Sequence, residues 1–243
     1  MQRQVHKWHS ENLKQEMTIC SLGHYGIPLL FFPTTGDSPM EIEESGLFDA
    51  VGEFVRSGKC RVYCIGSVHS QSWGSGEITF EAKSRRHFEY NNYLMNEAMP
   101  FIYDDNGGAM PILTVGASLG AYYAANAYFR RPDVFIGALA LSGDYNIERF
   151  TEGHFDENCY FNSPTHYLPN LNDNYWLSFL RSRRHIYIAT GSGEGERPEK
   201  SAELSNLLEL KSIPHLLDVW GGEWRHGVET WSAMLQHYIG TKL

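Results

Sequence analysis

Cysteine is scarce in this 243-residue chain. It has four, Cys20, Cys60, Cys64 and Cys159, and no two of them make a C-x-x-C pair. A disulfide therefore has no support in the sequence. The four read instead as reduced, mostly buried thiols of a cytoplasmic protein. Positive charge is also short, with 20 Lys and Arg against 29 Asp and Glu and a net charge of −9. Binding nucleic acid needs a basic face. The longest basic cluster, Arg181, Arg183 and Arg184, reads only as a solvated helix end. No segment approaches about 18 consecutive apolar residues, so no membrane span and no membrane partner are expected. The opening residues lack the apolar run of an export signal. No H-x-x-x-H or clustered Asp/His pattern occurs, so neither a metal nor a cofactor is expected. Internal repeats and low-complexity stretches are absent as well.

What is present is a globular composition, 42% hydrophobic, in a length that fits one large α/β domain over 1–243. Strand-like and helix-like runs alternate. Residues 4–10 and 14–22 read as a hairpin turning at Glu11-Asn12. Leu29-Leu30-Phe31-Phe32 is a wholly apolar run, as suits a strand covered on both faces. A helix is predicted over 45–57, a strand over 61–66, a surface loop over 69–80 and a long helix over 82–103. Then come a strand at 112–115, a helix at 119–130 and a strand at 136–141. Residues 146–180 read as irregular and aromatic, with one helix near 173–182. A strand at 186–189, a helix at 199–212, a strand at 216–220 and a helix at 229–240 complete the chain. Such alternation implies a mostly parallel sheet with helices on both faces, and ligands then bind beyond the carboxyl ends of the strands.

Chemistry is therefore sought in the loops that follow strands. Gly116-Ala117-Ser118-Leu119-Gly120 sits between a predicted strand and a small-residue helix, the context of a nucleophile elbow. Ser118 is the candidate nucleophile, exposed by a strained turn at a helix N-terminus. Serine needs a neighbouring base. His226, in the loop after the last strand, is better placed for that role than the other histidines. The acid that orients it belongs in the loop Gly191-Ser192-Gly193-Glu194-Gly195-Glu196, where either glutamate has the reach. Glu194 is slightly preferred because it lies three residues past Gly191. Donors for an oxyanion are expected from the backbone N–H of Leu119 and from Thr34 or Thr35, in the loop after the third strand.

Several segments carry a family resemblance. They are Phe32-Pro33-Thr34-Thr35-Gly36, the elbow with Ala121-Tyr122 after it, Arg131-Pro132-Asp133-Val134-Phe135 leading into Ala140-Leu141-Ser142-Gly143, and Lys211-Ser212-Ile213-Pro214-His215 leading into Trp220-Gly221-Gly222 and His226. Asn158 to Pro164 adds to the likeness. Over nearly the whole chain the sequence resembles the esterase family of α/β hydrolases that includes esterase D, feruloyl esterases and the mycolyl transferases. The resemblance implies an α/β-hydrolase fold without a large cap domain. It also implies cleavage of carboxylic esters without a metal, and with Ser118 as nucleophile and His226 as base the expected route is an acyl-enzyme. The serine and the histidine map onto the family pattern; the register of the acid does not.

The expected substrate is a small-molecule ester, short- to medium-chain or aryl, held against Trp73, Tyr160 and Phe161 as an aromatic wall. An acyltransferase using the same three groups, and a non-catalytic binding protein on a hydrolase scaffold, are the alternatives. Homo-oligomerisation is left open.

Overall fold

The computed structural model describes residues 3–182 and 185–243. Arg183 and Arg184 of the basic run therefore lie outside the described residues. Arg181 donates to the Lys211 carbonyl at 2.9 and 3.1 Å.

In chain order the elements are β1 (Arg3–Ser10), β2 (Gln15–Leu22), β3 (Ile27–Phe31), α1 (Glu41–Glu44), α2 (Leu47–Arg56), β4 (Cys60–Ile65) and α3 (Phe80–Tyr93). They continue with α4 (Met99–Asp105), β5 (Ile112–Ala117), α5 (Leu119–Arg130), β6 (Phe135–Leu141), α6 (Glu157–Phe161) and α7 (Pro164–Asn170). The last are α8 (Asn174–Ser182), β7 (His185–Thr190), α9 (Pro198–Leu210), β8 (Leu216–Val219) and α10 (Val228–Lys242). The strands form one eight-stranded sheet in the order β1-β2-β4-β3-β5-β6-β7-β8. Only the β1–β2 and β2–β4 pairings are antiparallel. From β4 to β8 every neighbour is parallel.

The apolar runs follow from this arrangement. Helices cover both faces of the sheet, so a central strand has no wet side. Leu29 and Phe31 pack into a core with α2 and α10, and Leu30 between them packs into the core under α3 and α5. Edge strand β1 instead leaves most of its residues exposed. Helix α5 is buried from Leu119 to Phe129, and its small residues Ala121, Ala124 and Ala125 let it lie close against the sheet. Among the described residues, no helix is long and apolar enough to cross a membrane. All four cysteines are free and buried, and burial pushes the Cys60 thiol up to about 12.

Two predicted elements differ in extent. Helix α3 begins at Phe80, because the Thr79 side chain accepts the Ala82 N–H at 3.2 Å and caps it. It runs through a wider, π-type turn at Leu94–Ala98 into α4. Pro100 sits in the first turn of α4, where its missing N–H costs little. The stretch 146–180, read as irregular with a single helix, holds three: α6, α7 and α8. The first two are too short to display a periodicity.

Helix α6 depends on its cap. Asp156 accepts the Cys159 N–H at 2.7 Å, the Ser84 hydroxyl of α3 at 2.5 Å and His154 Nε2 at 3.2 Å. Burial would raise its pKa, but these hydrogen bonds outweigh burial and hold it at about 2. A carboxylate with a depressed folded pKa stabilises the fold above its unfolded value of 3.8 and loses that contribution as pH falls toward 2. Asp156→Asn is expected to cost about 1 kcal/mol near neutral pH and to flatten the stability curve in that acid window. Urea unfolding across a pH series measures both. A slope unchanged from wild type would contradict the assignment.

Candidate active site

Ser118 lies at the carboxyl end of β5, one residue before α5, with φ 55° and ψ −117°. A positive φ at a non-glycine residue is strained, and close packing holds it there. Its own N–H donates to the Leu141 carbonyl at the end of β6, at 2.8 Å. Both elbow glycines are needed for space. A Cβ on Gly116 would stand 2.1 Å from the Gly120 carbonyl oxygen, and a Cβ on Gly120 would stand 2.6 Å from the Phe32 carbonyl oxygen.

His226 reaches the same point from the loop after β8. That loop is tied to the one after β7: Trp220 N–H donates to Thr190 O at 2.8 Å, Gly193 N–H to Trp224 O at 2.9 Å and His226 N–H to Glu194 O at 3.0 Å. The imidazole meets the Trp231 ring edge-on at 5.0 Å. His226 Nε2 lies 3.0 Å from Ser118 Oγ, and Nδ1 lies 3.6 Å from Glu196 Oε2. With its Nδ1 proton facing the carboxylate, the imidazole leaves Nε2 free to accept from the serine hydroxyl.

Of the two glutamates, Glu196 is the one that faces His226, and the slightly preferred Glu194 is not. The Glu196 side chain is fully buried. Its Oε1 accepts the Ser142 hydroxyl at 2.7 Å and its Oε2 accepts the Thr190 hydroxyl at 2.9 Å. Ser142 is in turn held by the Trp231 indole N–H at 3.1 Å. Burial pushes the Glu196 pKa up, but His226, Ser142 and Thr190 more than compensate and hold it below the usual carboxylate value. The Glu194 side chain is 81% exposed and lies 3.5 Å from Arg225. The reason is a turn. Glu196 N–H closes onto Gly193 O at 3.1 Å, and Gly195 has φ +79°, so the chain reverses between the two acids and aims only the second inward. Ser142, Thr190 and Trp231 were not singled out in the sequence. Their one advance signal is position, since Ser142 directly follows β6 and Thr190 ends β7.

Leu119, Thr34 and Thr35 do lie beside Ser118, but their donors are already engaged. Leu119 N–H donates to the Thr34 carbonyl at 3.2 Å. The N–H groups of Thr34, Thr35 and Gly36 converge on the Glu41 carboxylate at 2.9, 3.0 and 2.9 Å, and the Thr34 hydroxyl joins them. The Glu41 carboxyl group, on the first turn of α1, is thus cradled by successive backbone donors.

The aromatic wall is not at this site. Trp73 is 2% exposed and packs on the buried His87 ring at 5.1 Å. Tyr160 and Phe161 line a separate cavity of about 390 Å³ with Phe129, Tyr167 and Trp176. Phe129 is near the far end of α5, on the order of 15 Å from Ser118 by helical rise. Helices α6 to α8 pack across that end and carry their aromatics with them. The cavity that contains Ser118 and His226 is about 140 Å³ and polar, lined by Ser142, Gly143, Asp144, Arg149, Gly195 and Arg197.

One group of metal-type ligands occurs among the described residues, His154, Asp156 and Cys159, with ligand atoms within 4.8 Å of one another. It lies outside the Ser118 cavity. The Asp156 oxygens are already taken by Ser84, His154 and the Cys159 N–H, and burial pushes the Cys159 thiol up to about 12.

No protein-family model and no curated protein matches this sequence. Solved structures do resemble the fold. A ferulic acid esterase aligns with a TM-score of 0.74 at 17% identity, covering 98% of this chain and 96% of the other. An S-formylglutathione hydrolase from Agrobacterium tumefaciens aligns with a TM-score of 0.68 at 14% identity, covering 98% and 91%. A ferulic acid esterase from Anaeromyces mucronatus, in complex with ferulic acid, aligns with a TM-score of 0.71 at 13% identity, covering 99% and 90%. The sheet, its order and the helices on both its faces are those of the α/β-hydrolase fold.

Proposed function

We propose that this protein is a serine carboxylesterase acting on small-molecule esters. The observation that carries the reading is the 3.0 Å contact between Ser118 Oγ and His226 Nε2, with an ionised, buried Glu196 behind the imidazole. Ser118 Oγ attacks the ester carbonyl carbon as its proton passes to His226 Nε2. The tetrahedral intermediate collapses, the C–O bond to the alcohol breaks, and His226 returns the proton to the departing alkoxide. Water then adds to the acyl-enzyme with His226 again as base, and the carboxylic acid leaves. Glu196 keeps the imidazole in one tautomer and offsets its transient positive charge. Leu119 N–H and a Thr35 N–H receive the oxyanion once the Thr34 carbonyl gives way.

The neighbours in structure are esterases and an S-formylglutathione hydrolase, which supports ester-type chemistry here. The His226 side chain is 30% exposed, so water reaches an acyl group on Ser118, and that favours hydrolysis over transfer to a second alcohol. A cavity of about 140 Å³ is small beside the several hundred Å³ that usually enclose a drug-sized ligand. It favours the short-chain end of the expected range over medium-chain or aryl acyl groups. The four free thiols support a reducing, cytoplasmic setting. The test is labelling with a fluorophosphonate probe, read by peptide mass spectrometry, together with hydrolysis of p-nitrophenyl esters of increasing chain length. We expect modification at Ser118 and a decline in rate beyond short acyl chains. An unlabelled Ser118 in folded protein would defeat the reading.

A further inference from the structure

We propose that Arg149 and Arg197 form an anion-binding subsite beside Ser118, so that the preferred ester carries a carboxylate, phosphate or sulfate close to its scissile bond. This rests on the esterase reading above and names its substrate class.

Both arginines line the same small cavity as Ser118 and His226. They arrive from different elements, Arg149 from the segment after β6 and Arg197 from the residue before α9. Both pair with a single oxygen, Oδ2 of Asp144, Arg149 at 3.5 Å. Asp144 Oδ1 takes the Asn146 N–H at 3.3 Å instead. Two guanidiniums thus share one carboxylate in direct contact. The Glu196 carboxylate is the other negative group at the site, but its oxygens are taken by His226, Ser142 and Thr190 and it makes no direct pair with either arginine. Among the described residues, Asp144 is the only hydrogen-bond partner of either guanidinium. Each guanidinium has five N–H donors, so most of them are left for another acceptor.

A purely structural role is a weaker account. The two arginine side chains are 40% and 49% exposed, and ion pairs so open to water add little stability. The geometry is better suited to recognition. The Arg149 guanidinium lies over the Phe150 ring at 4.5 Å, a contact that favours this placement. Burial holds the Arg149 pKa down, Asp144 raises it, and the nearby Arg197 lowers it again. The two cations repel each other, and an anion seated between them relieves that repulsion. Planar guanidiniums also match the paired oxygens of carboxylate or phosphate. In a chain of net charge −9, a preference for anions has to come from such local groups.

The experiment uses the full chain and two matched ester pairs. Mono-p-nitrophenyl succinate against its methyl ester places the charge on the acyl side. 4-Acetoxybenzoate against its methyl ester places it on the leaving-group side. We expect kcat/KM to favour the anion by about 10-fold or more in one pair. Arg149→Gln and Arg197→Gln should each lower that anionic-to-neutral ratio by about 10-fold, and raising salt from about 20 mM to about 500 mM should compress it. Succinate binding, followed by calorimetry in wild type and in the double variant, reads the subsite without turnover. Folding of each variant is checked by circular dichroism. Equal or better use of the neutral ester in both pairs, with no succinate binding, overturns the subsite while leaving the esterase reading intact. Succinate binding that the double variant loses, in protein that hydrolyses none of the four esters, retains the subsite and overturns the esterase reading.

Discussion

Ser118→Ala is expected to lower kcat on p-nitrophenyl acetate by roughly four to six orders of magnitude. The size follows from the division of labour at the site. His226 has one partner for its Nε2, the Ser118 hydroxyl at 3.0 Å, and without that hydroxyl no acyl-enzyme can form. What remains is the background rate that backbone donors and simple binding provide. The substitution should leave the fold intact. The backbone at 118 already holds φ 55° with a β-carbon present, and alanine asks for no more room than serine. Steady-state rates and the pre-steady-state burst of p-nitrophenol are the measurements, with thermal melting as the control. Retention of more than about a tenth of the wild-type rate would show that another group attacks the ester.

Glu196→Gln is expected to cost about three to four orders of magnitude in kcat, whereas Glu194→Gln should change it by less than about threefold. The contrast is sharp because the two side chains are two residues apart and oppositely placed. Glu196 is wholly buried against His226, while Glu194 is 81% exposed. An amide at 196 can still accept a hydrogen bond from Ser142 or Thr190, so packing survives. It cannot offset an imidazolium, and its NH2 group can turn the ring into the tautomer that leaves no lone pair toward Ser118. The pair of variants is compared in parallel, by kcat and by melting temperature. A large loss at 194 with little at 196 would mean that the turn at Gly193–Glu196 runs the other way in solution.

Much of this site was legible in the chain. Leu29 to Phe32 announces a central strand because a strand buried on both faces has no reason to alternate. Gly116 and Gly120 announce the elbow because only glycine tolerates contacts of 2.1 and 2.6 Å at those places. His226 follows from its position after the last strand. The acid did not follow, since Glu194 and Glu196 have equal reach as text and are separated only by the reversal at Gly195. The aromatic wall failed for a longer-range reason. Tyr160 and Phe161 follow β6 in sequence, yet short helices capped by Asp156 and started by Pro164 carry them to the far end of α5. Arg149 and Arg197 were illegible for a related cause: the Asp144 carboxylate unites them across two loops, and nothing in their spacing records it.

One feature of the Thr34 loop bears on how the resting protein starts work. The carbonyl that covers Leu119 N–H and the N–H that Glu41 holds at 3.0 Å belong to a single trans peptide group, between Thr34 and Thr35, and point opposite ways. A half-turn of that one plate would carry the lone pairs away from the nucleophile and swing a donor in beside Leu119. In that event Glu41 would act as a latch on the Thr35 N–H. The barrier to the first acyl transfer would thus include a backbone crankshaft that substitutions at 118, 196 or 226 leave untouched.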